Sequence, residues 1–172
     1  VVVGVASAAV LMTSVFAAPR LLIEAAILPG LIGALFAAKD RVIFGVYASL
    51  VEISGLGLLM LYDAQGIFLV VWLICVVVAT DVAGYFAGKA IGGKKFWPSI
   101  SPKKTWAGIL AGWAAAAVVG GLMGGEELAA ISVFMSFASQ LGDIAESAIK
   151  RRSGVKDSSN LIPGHGGLLD RF

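Results

Sequence analysis

Two aspartates stand where an apolar chain should carry no charge. Asp81 lies in VVVATDVAGYFAGKAIGG and Asp143 in FASQLGDIAESAIK, each inside a run long enough to be a membrane-spanning helix. Lys89 follows the first and Lys150 the second. At 1.5 Å per residue Asp81 falls about 12 Å inside the basic end of its helix, and Asp143 reads at the same depth. An ionisable group within a span costs about 2.5–3.5 kcal/mol on insertion scales, so it normally faces a bundle interior or a wet cavity. Two at matching depth predict one cavity. Ser139, Asp143, Glu146 and Lys150 recur at i, i+4, i+7 and i+11, which predicts a polar stripe down one helix face flanked by Gln140 and Ser147. On the other helix Gly84 and Gly88, beside Ala83 and Ala87, permit a close helix neighbour.

Carboxylates beside basic, glycine-rich stretches are the parts needed to hold a hard cation and a phosphate. Mg2+ takes oxygen ligands in octahedral geometry, commonly one or two carboxylates completed by water and substrate phosphate. Zinc is disfavoured, because one cysteine, Cys75, and one histidine, His165, cannot build a usual site. Asp81 has a plainer reading as a structural polar group paired with a neighbouring helix, and for the isolated Glu24 and Glu52 that plainer reading is preferred.

The stretch KKFWPSISPKKTWAG interleaves Lys94, Lys95, Lys103 and Lys104 with Phe96, Trp97 and Trp106. It fits a headgroup-level anchor, since tryptophan favours the interface, and it equally fits an anionic site. Ser101-Pro102 is read as the cap of a following helix, whose free N–H groups suit phosphate. The closing stretch, KRRSGVKDSSNLIPGHGGLLDRF, holds the only histidine and four glycines. Its glycines would let backbone approach a phosphate or would simply make a turn. His165 is open among a hydrogen-bond donor to phosphate, an acid and a fixed partner within its loop.

These residues need a scaffold, and composition names its kind. Of 172 residues 59% are hydrophobic and only 14% charged, the mean hydropathy is +0.93, and a soluble domain carries about 25% charged residues. This is the composition of an integral membrane protein. Charged and turn-forming breaks cut the chain into six candidate spans, 1–18, 21–38, 42–62, 66–90, 105–123 and 127–149, and period-two alternation, the mark of a membrane barrel, is missing. The predicted fold class is an all-α, polytopic helical bundle with a polar cavity facing the cytoplasm. Twelve of the thirteen Lys and Arg residues fall in alternate loops, Arg20 being the exception, so the positive-inside bias places the 92–104 loop and the closing segment in the cytoplasm. Pro29-Gly30 interrupts the second segment, which could be re-entrant. The chain begins at Val1 without methionine and stops at Phe172 after its densest polar cluster, so a fragment lacking both ends is expected. The first apolar run has neither a preceding basic region nor a clear cleavage site, which disfavours a signal peptide.

The run SAIKRRSGVKDSSNLIPGHGGLLDRF resembles the signature of the phosphatidate cytidylyltransferases, or CDP-diacylglycerol synthases. The matching positions are Ser147, Lys150-Arg151, Lys156-Asp157, Pro163, His165-Gly166-Gly167 and Asp170-Arg171. DVAGYFAGKAIGG, SPKKTWAG and SQLGDIAESAIK also resemble that family's membrane segments, so the likeness covers 81–172, while 1–80 match only as apolar spans. The family's pattern continues with another aspartate beyond Phe172, and a final membrane helix after it.

The resemblance implies transfer of a cytidylyl group from CTP to phosphatidic acid, giving CDP-diacylglycerol and pyrophosphate in phospholipid biosynthesis. It divides the chain into N-terminal transmembrane helices, 1–80, and a catalytic membrane region, 81–172, with the cytoplasmic loop 92–104 and the signature segment 147–172. With the carboxylate chemistry it assigns Asp143 and Asp170 as metal ligands, Asp81 as a further candidate, and Mg2+ as cofactor with the identity of a second cation open. Lys150, Arg151 and Lys156 would neutralise CTP phosphates. Lys103 and Lys104 would hold the lipid or nucleotide phosphate, Ser101 and Thr105 would add hydrogen bonds, and Gly164, Gly166 and Gly167 would admit phosphate against backbone. Arg171 joins the substrate-binding set, and Asp143, Asp170, Lys150 and His165 the catalytic one. The expected partners are CTP, phosphatidic acid and the bilayer of the cell membrane, with no nucleic acid; oligomeric state is open, a homodimer included. Two rivals stand: a cation-coupled membrane transporter, since intramembrane carboxylates and glycine-broken helices also build midplane ion sites, and a related CTP-dependent lipid kinase.

Overall fold

The computed structural model describes residues 27–28, 30–35, 40–152 and 154. The segment 1–18, most of 21–38, Glu24, and the candidate residues Lys156, His165, Gly164, Gly166, Gly167, Asp170 and Arg171 lie outside them. The chain forms two compact units, Val1–Val70 and Val71–Phe172.

In the first unit helix α1, Arg41–Gln65, packs its small residues against the helical stretch 30–35. A Cβ added to Gly30 would stand 2.8 Å from the Gly45 carbonyl oxygen, and one on Gly45 would stand 3.1 Å from Ala34 Cβ. Small residues therefore set this contact, as is usual where lipid supplies no hydrophobic drive between helices. Helix α1 continues through the predicted break at Asp63 and ends at Gly66, whose φ of 65° stops it and whose N–H bonds the Tyr62 carbonyl at 2.6 Å. Glu52 is buried at 3% exposure, with Oε2 lacking a hydrogen-bond partner among the described residues.

Helix α2, Ile67–Ala90, leads into the second unit. Gly92 and Gly93, at φ 65° and 88°, turn the chain out of it. Two short antiparallel strands follow, β1 at Lys95–Trp97 and β2 at Ser101–Thr105, with Lys95 opposite Thr105, Trp97 opposite Ser101, and a register irregularity between the two pairs. Phe96 braces the hairpin edge-on against Trp97 and Trp106, the latter with ring centroids 4.7 Å apart.

The hairpin corrects two expectations. The fold is mostly helical rather than all-α, because residues 95–105 pair as strands. Nor do Ser101 and Pro102 cap a helix: they are strand residues, and the helix starts at Trp106, where the Thr105 hydroxyl accepts the Gly108 N–H at 3.2 Å.

Helix α3, Trp106–Arg152, has 47 residues, about 70 Å at 1.5 Å per residue, roughly twice the hydrocarbon thickness. It breaks where Gly124 and Gly125 leave helical geometry, Gly125 at φ 75°. Its two arms, which carry the segments predicted at 105–123 and 127–149, fold back on each other. The first buries Gly108, Gly112, Ala116 and Gly120 and the second Ser132, Ser136, Gln140 and Ile144, two columns at four-residue spacing. A Cβ on Gly120 would collide with the Ser132 hydroxyl, so only glycine permits the approach.

Helices α1, α2 and α3 are each long and apolar enough to cross a membrane. Large apolar side chains point outward, Leu122 at 83% and Phe134 at 66% exposure. Such surface is costly in water and natural against lipid. The protein is read as a membrane protein on these grounds.

Candidate functional site

The site grows from a close approach of two helices. Gly84 on α2 faces Gly108 on the first arm of α3 so closely that a Cβ on Gly108 would stand 2.6 Å from the Gly84 carbonyl oxygen. One turn on, a Cβ on Gly88 would stand 3.1 Å from Thr105 Oγ1. The pairing expected of Gly84 and Gly88 is thus made, and it brings Asp81 beside the hairpin.

Above this contact α2, the hairpin and both arms of α3 enclose an open cleft of about 480 Å³. Asp81 and Asp143 both line it, as their matching depth predicted, with Lys89, Lys95, Lys103 and Lys104, so four cations and two anions share one wall set. Asp143 is half exposed, and its Oδ2 accepts from Lys104 Nζ at 2.8 Å. Lys104 also reaches the Gln140 carbonyl oxygen at 3.5 Å. Thr105 lines the cleft while nearly fully buried, held by its capping bond.

A smaller basic recess of about 210 Å³ adjoins it, lined by Ser101, Lys103, Ser147, Lys150 and Arg151. Lys103 borders both spaces. Lys150 is paired with Glu146 at 3.1 Å along the predicted stripe, whereas Asp143, on the same stripe, turns to Lys104.

Beneath the cleft a polar ladder runs through the apolar interior. Trp113 Nε1 donates to Gln140 Oε1 at 3.0 Å, and Gln140 Nε2 donates to the Ile109 carbonyl at 3.5 Å. Farther down, Thr80 Oγ1 lies 2.8 Å from Ser136 Oγ, and Trp72 Nε1 donates to Ser132 Oγ at 2.9 Å. From sequence, Gln140 stands only beside the stripe, Lys95 only within a stretch that fits an anchor or an anionic site, and Lys89 has no site role. The four-residue spacing of Ser132, Ser136 and Gln140 was the signal for the ladder.

The donor set fits a hard cation. Two carboxylates from separate helices face one cleft, within Mg2+'s habit of taking one or two. No cluster of three or more His, Cys, Asp or Glu occurs among the described residues, so a third protein ligand would have to come from elsewhere, and Asp170 lies outside them.

The family model described as "Cytidylyltransferase family" matches residues 1–172. The chain belongs to that family. Among its relatives, the phosphatidate cytidylyltransferase of Brucella suis biovar 1 (strain 1330) is 47% identical over 133 residues, 73% of this chain and 48% of its own. That of Bacillus subtilis (strain 168) is 41% identical over 121 residues, 64% and 44%. That of Haemophilus influenzae (strain ATCC 51907 / DSM 11121 / KW20 / Rd) is 42% identical over 120 residues, 63% and 42%. The chain spans about half the length of these curated relatives.

Proposed function

We propose that this chain is the core of a phosphatidate cytidylyltransferase, joining CTP to phosphatidic acid to give CDP-diacylglycerol and pyrophosphate at the cytoplasmic face of the cell membrane. The observation that carries the reading is the cleft in which Asp81, Asp143 and four lysines meet at the polar ends of membrane-length helices. A water-soluble triphosphate and a lipid phosphate can meet only at such a boundary.

An anionic oxygen of the lipid phosphate attacks the α-phosphorus of CTP. The new P–O bond forms as the bond from that phosphorus to the oxygen bridging to the β-phosphate breaks, and pyrophosphate leaves with the electron pair. The nucleophile is already charged near neutral pH, so no strong general base is required; alignment and charge neutralisation are. Asp81 and Asp143, joined by Asp170, would hold Mg2+, which when bound supplies positive charge at the phosphates. Lys103 and Lys104 orient phosphate in the cleft, and Lys150 and Arg151 hold the outgoing phosphates in the adjoining recess.

Six spans with 92–104 and the closing segment in the cytoplasm fit the twelve basic residues in alternate loops. In a full-length protein with Cys75 replaced, cysteines at Ser99 and Ser158 should react with an impermeant reagent only from that side. The transporter and kinase readings gain no support from relatives that are named phosphatidate cytidylyltransferases. The decisive assay offers full-length protein CTP or ATP with phosphatidic acid or diacylglycerol. CDP-diacylglycerol should form from CTP and phosphatidic acid alone; phosphorylated diacylglycerol would make the protein a kinase.

A further inference from the structure

Lys104 occupies the place a cation would need. Its Nζ lies 2.8 Å from Asp143 Oδ2, a charge-assisted hydrogen bond, and a second contact runs to the Gln140 carbonyl. The ammonium is delivered there by fixed parts. Lys104 immediately precedes Thr105, which is buried at 3% exposure against Gly88 and caps α3, and Gln140 is anchored by Trp113 and Ile109. Its neighbour Lys103, more exposed, lines both the cleft and the adjoining recess. The two lysines therefore differ in what they face, one a carboxylate and the other the space where anions would lie.

Asp81 lines the same cleft as Asp143 and Lys104. Two carboxylates in one cleft repel unless a positive charge stands between them. A divalent ion held by Asp143 would stand within a few ångströms of the ammonium that now bonds the same carboxylate, and two cations so close repel. We propose that Lys104 is a tethered stand-in for the metal: it neutralises the carboxylates of the empty site, is displaced when the ion arrives, and then turns to the phosphate that the ion brings. This rests on the reading of Asp143 as a metal ligand. Loading of ion and nucleotide is then coupled, because phosphate gives the displaced ammonium a new partner and so lowers the cost of displacing it.

The test measures binding of Mn2+ to full-length protein in detergent, reading free Mn2+ by electron paramagnetic resonance with and without CTP. Lys104→Gln should bind Mn2+ alone about fivefold tighter than the parent, the size expected of losing a partly exposed ion pair as competitor, and should lose most of the tightening that CTP causes. Lys104→Arg keeps the charge and should stay near the parent. Lys103→Gln should weaken the CTP effect without tightening Mn2+ alone. Equal or weaker Mn2+ binding in Lys104→Gln, with binding abolished in Asp143→Asn, would overturn the stand-in role and leave the metal reading standing. Parent-like binding in Asp143→Asn would remove the metal reading and the proposal with it.

Discussion

The two ends of the α3 hairpin are built from the same sequence device and do opposite things. Near Gly124-Gly125 the arms touch: Gly120 lies against Ser132, the Ser132 hydroxyl accepts from Trp72, and Ser136 meets Thr80. At the other end the four-residue column continues through Gln140, but the facing elements carry longer, charged side chains, and the arms leave a cleft of about 480 Å³. Hydroxyls satisfy themselves across a closed seam. An ammonium and two carboxylates cannot be shut in without a heavy desolvation cost, so this end stays open and reaches water. The difference between packing and chemistry is set by side-chain length and charge on one repeated helical face.

The largest effect should come from the open end. Asp143→Asn keeps the size of the side chain and removes its charge, and turnover by full-length protein should fall at least about a thousandfold, the scale of losing a charged group from the reacting centre. Insertion and thermal midpoint should change little, because Asp143 is half exposed and pairs only with Lys104 among the described residues. Activity near the parent's would strip the open end of its chemistry.

Next is the contact that sets the cleft's floor. A Cβ on Gly108 would meet backbone, not a flexible side-chain tip, so Gly108→Ala must push α2 from α3 at a cost of about 1–3 kcal/mol. We expect a lower midpoint in thermal unfolding and activity reduced more than tenfold. Gly142→Ala, where the added atom meets nothing within 4 Å, is the control that should cost neither. Equal behaviour of the two would mean the close approach does not position the site.

Gln140 joins the two ends. Gln140→Leu leaves the Trp113 N–H without its acceptor, costing about 1–2 kcal/mol, and loosens the backbone carbonyl that Lys104 touches. A kcat lowered about tenfold with little change in KM is expected, with recovery in Gln140→Glu, which keeps an acceptor for Trp113. Failure of the glutamate to recover activity would mean that the bond to Ile109, which the carboxylate cannot donate, matters more.

Much of this was legible. Charge breaks located α1, α2 and both arms of α3 because a helix in lipid tolerates few charges, and Asp81 with Asp143 read as one cavity because each is expensive alone. The hairpin was not legible: strands of three and five residues show too little alternation, and lysines among aromatics suit an interfacial loop equally well. Ser101-Pro102 gave a false helix start since capping is a local signal, and strand pairing with Lys95–Trp97 outweighed it. The stripe on the second arm was read correctly as reaching a cavity, but the buried face one position away was not read. Ser139 and Asp143 read as a polar stripe down one face, and Asp143 does line the cleft, while the buried contacts are made by Ser136 and Gln140 beside it. Charge drew attention to the residue that reaches water, while the residues that hold the helices together are neutral.

The smallest effects should lie at the closed end, and their order is itself a test. Within a membrane a hydrogen bond between helices averages about 0.6 kcal/mol, because the separated helices also find partners. Ser136→Ala should cost about that much, since Thr80 Oγ1 retains the Val76 carbonyl 2.8 Å away. Ser132→Ala should cost more, about 1–2 kcal/mol, because the buried Trp72 N–H has Ser132 as its only acceptor among the described residues. Thermal unfolding in one detergent can rank the two against the parent, and both should keep turnover within about twofold, each removing no more than a single net hydrogen bond and none of the cleft's charged groups. A serine variant that unfolds like the parent but turns over ten times more slowly would mean that the closed seam transmits to the cleft, and the division between packing and chemistry along this hairpin would have to be given up.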